Sequence, residues 1–177
     1  MVNCGNNLFT FVVITSINLK LLNAITGTHE CKADAKGRLL LPSAFKKQLP
    51  DLQSGFVLKR SIYNPCLELW PMAEWNVMMQ NLNKLNRFVR ENDKFITRFM
   101  AGVKMIDIDE IGRILMPKDL ISFAKIQKDV VFTSKINIIE IWDKDIYEKE
   151  VAFDDDDFAQ QTENVMKNFN TANDGLS

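Results

Sequence analysis

The chain has 177 residues, 46% hydrophobic and 25% charged, a make-up that excludes the disordered and fibrous classes and allows one domain or two small units sharing a core. A formal net charge of −1 excludes a uniformly basic nucleic-acid binder, so any anionic ligand must be met by a local patch. Cys4, Cys31 and Cys66 are odd in number and lack metal or redox spacing, which suits reduced thiols in a cytoplasm.

Residues 1–21 do not match the pattern of the rest of the chain. Leu8 to Ile17 is apolar, but no Lys or Arg precedes it and the run is shorter than the roughly 20 residues a membrane span needs. The expectation is an upstream extension left by a translation start placed too early, with the domain opening near Leu22 or Asn23.

From Ile25 to Lys32 the sequence reads as a strand that runs into Asp34-Ala-Lys-Gly-Arg38. Gly37 supplies a position where positive φ carries no Cβ penalty, so a tight turn or bulge is expected there. Leu39 to Leu41 then reads as a short buried strand ended by Pro42. Ser43 to Leu49 offers a hydroxyl cap and two apolar residues four apart, the mark of a short helix. Phe56 to Lys59 and Cys66 to Trp70 are strands separated by a Tyr63-Asn-Pro-Cys66 turn, with Glu68 on the face opposite Leu67 and Leu69.

The second part of the chain repeats this order. Asp109-Glu-Ile-Gly-Arg113, three apolar residues and Pro117 restate the first motif at an interval of 75 positions (109 − 34). Lys104 to Ile108 is its opening strand, Lys118 to Ala124 its helix, and Val130 to Thr133 and Asn137 to Trp142 its closing strands. Glu68-Leu-Trp70 answers Glu140-Ile-Trp142. Each motif projects a cation, Arg38 or Arg113, from a stiff turn with Asp34 or Asp109 near enough to orient it. Such an arginine is either a pin for the turn or a contact for a ligand, and residue types alone leave both open.

Between the repeats, Trp75, Met78, Met79, Leu82 and Leu85 recur at helical spacing, and Phe88, Phe95, Ile96 and Phe99 extend the apolar stripe. A helical insert packed on its own core is expected, with Asn92-Asp93 separating two helices and Met100-Ala-Gly102 closing it. Past Tyr147, four aspartates, Asp154 to Asp157, precede a helical pattern through Phe158, Thr162, Val165, Met166 and Phe169, and Asn170 to Ser177 reads as a frayed tail.

Catalysis finds little support in these residues. His29 is the lone histidine and no nucleophile stands at suggestive spacing; Asp34 and Asp109 have cations beside them that keep them ionised, the wrong state for a general acid. No phosphate loop, metal-ligand cluster or cofactor motif is present in the sequence. Binding fits better. From His29 to Lys47 there are five cations, Lys32, Lys36, Arg38, Lys46 and Lys47, against Glu30 and Asp34. The matching window from Lys104 to Ser122 has Lys104, Arg113 and Lys118 against Asp107, Asp109, Glu110 and Asp119. One repeat presents a basic edge to phosphates and the other is expected to serve packing or assembly.

At these residues the sequence resembles the MraZ family of bacterial regulators, whose mark is a pair of Asp-x-x-x-Arg motifs. The resemblance covers about residues 22–147 and includes Gly-Arg-x-x-x-Pro twice, Cys-Leu-Glu-Leu-Trp-Pro followed by Glu-Trp, and Ile-Glu-Ile-Trp-Asp. It implies an α+β fold of tandem AbrB-like swapped-hairpin β-barrel halves, at 22–75 and 102–147, with a helical insert at 76–101 and an acidic, helical or disordered tail at 148–177. It also implies a cytoplasmic, nucleoid-associated DNA-binding regulator. As a homo-oligomeric ring it would bind direct repeats of double-stranded DNA in its own promoter and repress the division and cell-wall gene cluster. Neither a membrane nor a small-molecule substrate is expected. Arg38, with Lys36 beside it, is then the expected DNA contact and Lys32, Lys46 and Lys47 are auxiliary. Asp34, Gly37, Asp109, Gly112 and Arg113 are expected in the turns or at a subunit interface. The alternative is an AbrB-fold interaction module, antitoxin-like, without strong DNA binding.

Overall fold

The computed structural model describes residues 24–49, 51–152 and 155–174, so the expectation for residues 1–21 lies outside the described residues. The chain divides into two compact units, one running to Lys144 and one from Asp145.

In the first unit each repeat begins with two strands. β1 (Thr28–Lys32) and β2 (Arg38–Leu40) lead to α1 (Ser43–Gln48), then to β3 (Phe56–Arg60) and β4 (Leu67–Pro71). Two helices come next, α2 (Met72–Leu82) and α3 (Arg90–Met100). The second repeat supplies β5 (Lys104–Ile106), β6 (Arg113–Leu115), α4 (Lys118–Phe123), β7 (Asp129–Lys135) and β8 (Ile138–Asp143). The opening strands are shorter than the apolar runs suggested. Ile25 is instead tied by its amide to the Ile136 carbonyl at 2.8 Å, and Ile108 makes only an isolated bridge to Ile114.

The sheet order is β1-β7-β8-β4-β3-β5, all antiparallel, and β2 pairs with β6 in a separate ribbon. The first strand of each repeat therefore pairs with a strand of the other. The register places the local two-fold at Glu68 opposite Glu140 in the sheet and at Leu39 opposite Ile114 in the ribbon.

Period-two alternation sorts the two sheet faces. Phe56, Leu58, Leu67, Leu69, Val130, Phe132, Ile139 and Ile141 join Leu39, Leu41, Ile114 and Met116 of the ribbon segments in one core, closed by Phe45 of α1 and Leu120 of α4. On the other face Val57 packs with Trp75 of α2 and Phe99 of α3. Glu68 does lie opposite Leu67 and Leu69, yet it is buried: Lys59 Nζ at 3.1 Å and Trp70 Nε1 at 3.0 Å both donate to its Oε2. Glu140 takes the corresponding donors on separate oxygens, Lys135 Nζ on Oε1 at 2.8 Å and Trp142 Nε1 on Oε2 at 3.1 Å.

Three local expectations are corrected. Pro42, not Ser43, stands at the N-cap of α1, and no side chain caps that end. The break between α2 and α3 falls at residues 83–89, and Asn92 and Asp93 lie inside α3. There the Lys84 and Leu85 amides turn back to the Asn81 and Leu82 carbonyls, and the Asn86 side chain takes the Phe88 amide, so the chain leaves the helical path before the polar pair is reached. Phe88 consequently sits off the apolar stripe, 99% exposed.

The second unit contains α6 (Asp155–Asp174), preceded by most of α5 (Lys144–Glu150). The helix runs through Asn170, where a frayed tail was expected. No helix among the described residues is long and apolar enough to cross a membrane.

Candidate nucleic-acid interface

Each motif folds into the same Asp-pinned turn. Asp34 Oδ1 accepts the amides of Lys36 and Arg38, each at 2.9 Å, and Oδ2 accepts Arg38 Nε at 2.6 Å. Asp109 repeats this with the amides of Ile111 at 3.1 Å and Arg113 at 2.8 Å, and with Arg113 Nε at 2.8 Å. Gly37 and Gly112 turn the chain at φ +75° and +90°, which a side chain would strain. The turns are also locked to each other, since the Leu41 amide donates to the Gly112 carbonyl at 2.9 Å and the Met116 amide to the Gly37 carbonyl at 3.2 Å.

Both carboxylates are held below their ordinary pKa of 3.8, chiefly by the hydrogen bond from the backbone amide of the motif arginine. Its guanidinium and the nearer turn amide add to this, against an opposing effect of desolvation. The pin occupies only Nε, and the Nη groups of Arg38 donate no hydrogen bond among the described residues. The two readings of the motif arginine therefore coexist in one side chain, with Nε serving the turn and a fork left for a ligand.

The β2–β6 ribbon sets what this face looks like. Leu39 and Ile114 are buried, so Arg38, Leu40, Arg113 and Leu115 lie on the outer side, where Arg38 is paired with Leu115 and Leu40 with Arg113. Leu40 and Leu115, expected within buried runs, are 50% and 59% exposed. Arg38 and Arg113 thus share one face and are almost equally accessible, at 31% and 33%.

The two halves differ in what surrounds each arginine. At the interval of 75, Lys32, Lys36, Lys46 and Lys47 correspond to Asp107, Ile111, Ile121 and Ser122. Lys36 lies in the pinned turn and Lys47 at the exposed end of α1, and neither ammonium has a hydrogen bond among the described residues. Lys32, at the end of β1, sits 3.7 Å from Asp129 with both side chains mostly in solvent. Lys46 behaves differently, because its Nζ crosses to the second motif and donates to the Ile111 carbonyl at 3.0 Å. Sequence reasoning missed this contact, although position-by-position comparison of the repeats carried a signal for it: Lys46 is replaced by the apolar Ile121, whose methyl group packs over Gly37.

His29 packs edge to face on Phe45 at 5.0 Å, and among the described residues no group of three or more His, Cys, Asp or Glu side chains is placed to hold a metal. The arrangement can offer an anion two oriented guanidinium forks and a flank of lysines on one side.

Two copies of an Asp-pinned Gly-Arg turn, joined in one chain by strands that pair between the repeats and carrying cations on a common ribbon, define a tandem-repeat protein with a two-fold cationic face. The family model described as MraZ protein, with a likeness to antitoxins, matches the chain twice, over residues 24–97 and 99–169. The chain belongs to the MraZ family. Among its relatives, a protein of Flavobacterium psychrophilum named Transcriptional regulator MraZ is 57% identical over 157 residues, 88% of this chain and 100% of that protein. A protein of the same name from Christiangramia forsetii is 57% identical over 84% of this chain and 96% of its own length. One from Phocaeicola vulgatus is 39% identical over 79% and 92%.

Proposed function

We propose that this protein is a sequence-specific transcriptional regulator that binds double-stranded DNA through the outer face of the β2–β6 ribbon. In this reading it works in the cytoplasm at the nucleoid as a homo-oligomeric ring on direct repeats of its own promoter, and represses the division and cell-wall gene cluster. The name shared by its relatives supports the class of function. One observation carries the choice of surface: equivalent pinned arginines have a lysine flank in the first half and Asp107, Ile111, Ile121 and Ser122 in the second. Arg38 and Lys36 are the primary contacts, since a guanidinium fork can bond two acceptors on guanine at once. Lys32, Lys46 and Lys47 are auxiliary phosphate contacts, Asp34, Gly37, Asp109 and Gly112 hold the turns, and Arg113 serves structure or the subunit interface.

The pairing of β1 with β7 and of β5 with β3 supports tandem AbrB-like halves with exchanged hairpins. We take these halves as residues 22–75 and 102–147, with the helical insert at 76–101, an extension at 1–21 and the tail at 148–177. No cofactor and no enzymatic step enter this function.

The test is fluorescence anisotropy on DNA from upstream of the gene cluster, across a salt series, with wild type, Arg38→Ala and Arg113→Ala. Each phosphate contact contributes about −0.9 to the slope of log K against log salt. Loss of binding with Arg38→Ala and retention with Arg113→Ala is expected. Salt-independent behaviour, identical for all three proteins, would favour the antitoxin-like interaction module that the family description suggests.

A further inference from the structure

The tip between α2 and α3 is an ordered apolar projection. Phe88 is 99% and Val89 43% exposed, yet the segment is fixed by Asn86 Oδ1 on the Phe88 amide at 3.0 Å and by Asn92 Nδ2 on the Asn86 carbonyl at 3.0 Å. From residue 84 to 90 it carries Lys84, Arg87 and Arg90 and no carboxylate. Among the described residues Lys84 and Arg87 bond only to the side chains of Asn81 and Asn83, and Arg90 has no hydrogen bond.

A groove of about 400 Å³ adjoins the tip at Asn81 and lies between α2, the end of β3 and the β7–β8 turn. Ile62, Val77 and Ile136 leave 51%, 53% and 72% of their surface in solvent there, and half-buried Met78 and Trp70 and buried Phe99 also line it. Ile136 is held at φ +58°, a conformation that costs a β-branched residue and that aims it from the turn. Of the charged groups lining the groove, Lys135 is bound to Glu140 and Glu68 to Lys59. Among the described residues Glu74 has only Asn137, at 3.2 Å. The groove therefore offers an apolar slot with an acid, Glu74, that makes no ion pair among the described residues, and the tip an aromatic beside cations, Arg87 and Arg90, that make none either, although Glu91 and Asp93 follow them in the chain.

We propose that the Phe88 tip of one copy docks into the Ile62–Val77–Ile136 groove of the next, with Arg87 or Arg90 against Glu74. Tip and groove are different surfaces, so a contact made in one direction runs head to tail and repeats around a closed ring if the rotation closes, whereas a reciprocal contact would stop at a two-fold dimer. The tip is already ordered, which lowers the cost of docking. This inference rests on the ring reading above and names its interface.

The test uses full-length wild type, Phe88→Ser and Val77→Arg, both at exposed positions, with folding checked by circular dichroism and assembly by sedimentation velocity. Each variant alone is expected to be monomeric at concentrations where wild type assembles, with subunit affinity weaker by roughly 30-fold or more, the effect of losing one interfacial hot spot. A 1:1 mixture of the two is expected to give heterodimers and nothing larger, because one intact tip and one intact groove remain. Wild-type-sized assemblies of both variants would overturn the inference and leave ring assembly standing. Loss with Phe88→Ser alone would mean tip-to-tip association and also overturn it. A wild type that stays monomeric would overturn the ring reading and the docking together, and DNA anisotropy of the same sample reports separately on the regulator reading.

Discussion

Lys46 of the first half reaches the Ile111 carbonyl of the second half at 3.0 Å, where it also fills the space a Cβ on Gly112 would need. One of the five cations of the basic edge therefore clasps the two motifs together. Lys46→Ala should lower stability by about 1 kcal/mol, the worth of a hydrogen bond, and Lys47→Ala by less than about 0.5 kcal/mol. Gly112→Ala should cost roughly 2–3 kcal/mol, from the left-handed backbone together with the Lys46 bond lost as the flexible end of that side chain swings aside. The double variant should then fall short of the sum, because the Lys46 bond is already lost in Gly112→Ala. Urea unfolding of these four variants beside wild type measures all these quantities.

The pinned aspartates make stability depend on acid. Their pKa is depressed in the fold, so their contribution is fully present above the unfolded value of 3.8 and is lost as pH falls through the lower folded value. Unfolding midpoints between pH 6 and pH 2 should fall below about pH 4, and should fall less steeply in Asp34→Asn or Asp109→Asn. A pH profile unchanged by either substitution would exclude the pin as a source of the slope.

Glu68 and Glu140 face each other across neighbouring strands, a like-charge pairing that Lys59 and Lys135 offset. Lys59 is 1% exposed and also donates to the Arg60 carbonyl at 2.7 Å, so removal of Glu68 leaves a buried ammonium without its counter-charge. Glu68→Ala should cost about 3–5 kcal/mol. Glu140→Ala should cost less, because Lys135 can turn to solvent. The comparison reads as a larger drop in denaturation midpoint for the first variant at unchanged m-value.

Burial pushes the Cys31 thiol up to about 11, and burial, followed by the charge of Glu140, pushes Cys66 up to about 12. At pH 8 about one Cys31 in a thousand is thiolate, and fewer for Cys66. Both should react with a thiol reagent on the order of 100-fold or more slower than the same residues in urea. Peptide mapping after labelling separates them from Cys4. Fast labelling of Cys66 in the native protein would mean that the β3–β4 end of the sheet opens.

Much of this fold was legible because the same chemistry is written twice. Gly37 and Gly112 marked turns that only glycine takes without strain, the prolines marked strand ends, and the alternation around Glu68 and Glu140 marked a two-faced sheet. Strand exchange was not readable from periodicity, since a two-residue alternation says which face a side chain takes and nothing about which strand lies alongside. Leu40 and Leu115 were hidden for a related reason: three apolar residues in a row look uniformly buried until the ribbon is seen to have an open side. The helix break was misplaced because Asn92 and Asp93 are polar enough to end a helix but serve well in the first turn of α3. The basic edge was visible in the sequence as charge. That Lys46 belongs partly to the opposite motif could be seen only in three dimensions.

The exchange of strands also governs how the protein comes into being. Thr28 of β1 meets Thr133 of β7, 105 residues later, and among the described residues no nearer segment offers β1 a ladder. During synthesis at roughly 5–20 residues per second, the first half emerges with that edge unpaired for about 5–20 s. Its apolar inner face waits for a partner that is still being translated. Long-range closure of this kind slows folding and leaves a window for association between nascent chains, so the yield of native protein depends on how quickly the second half emerges after the first.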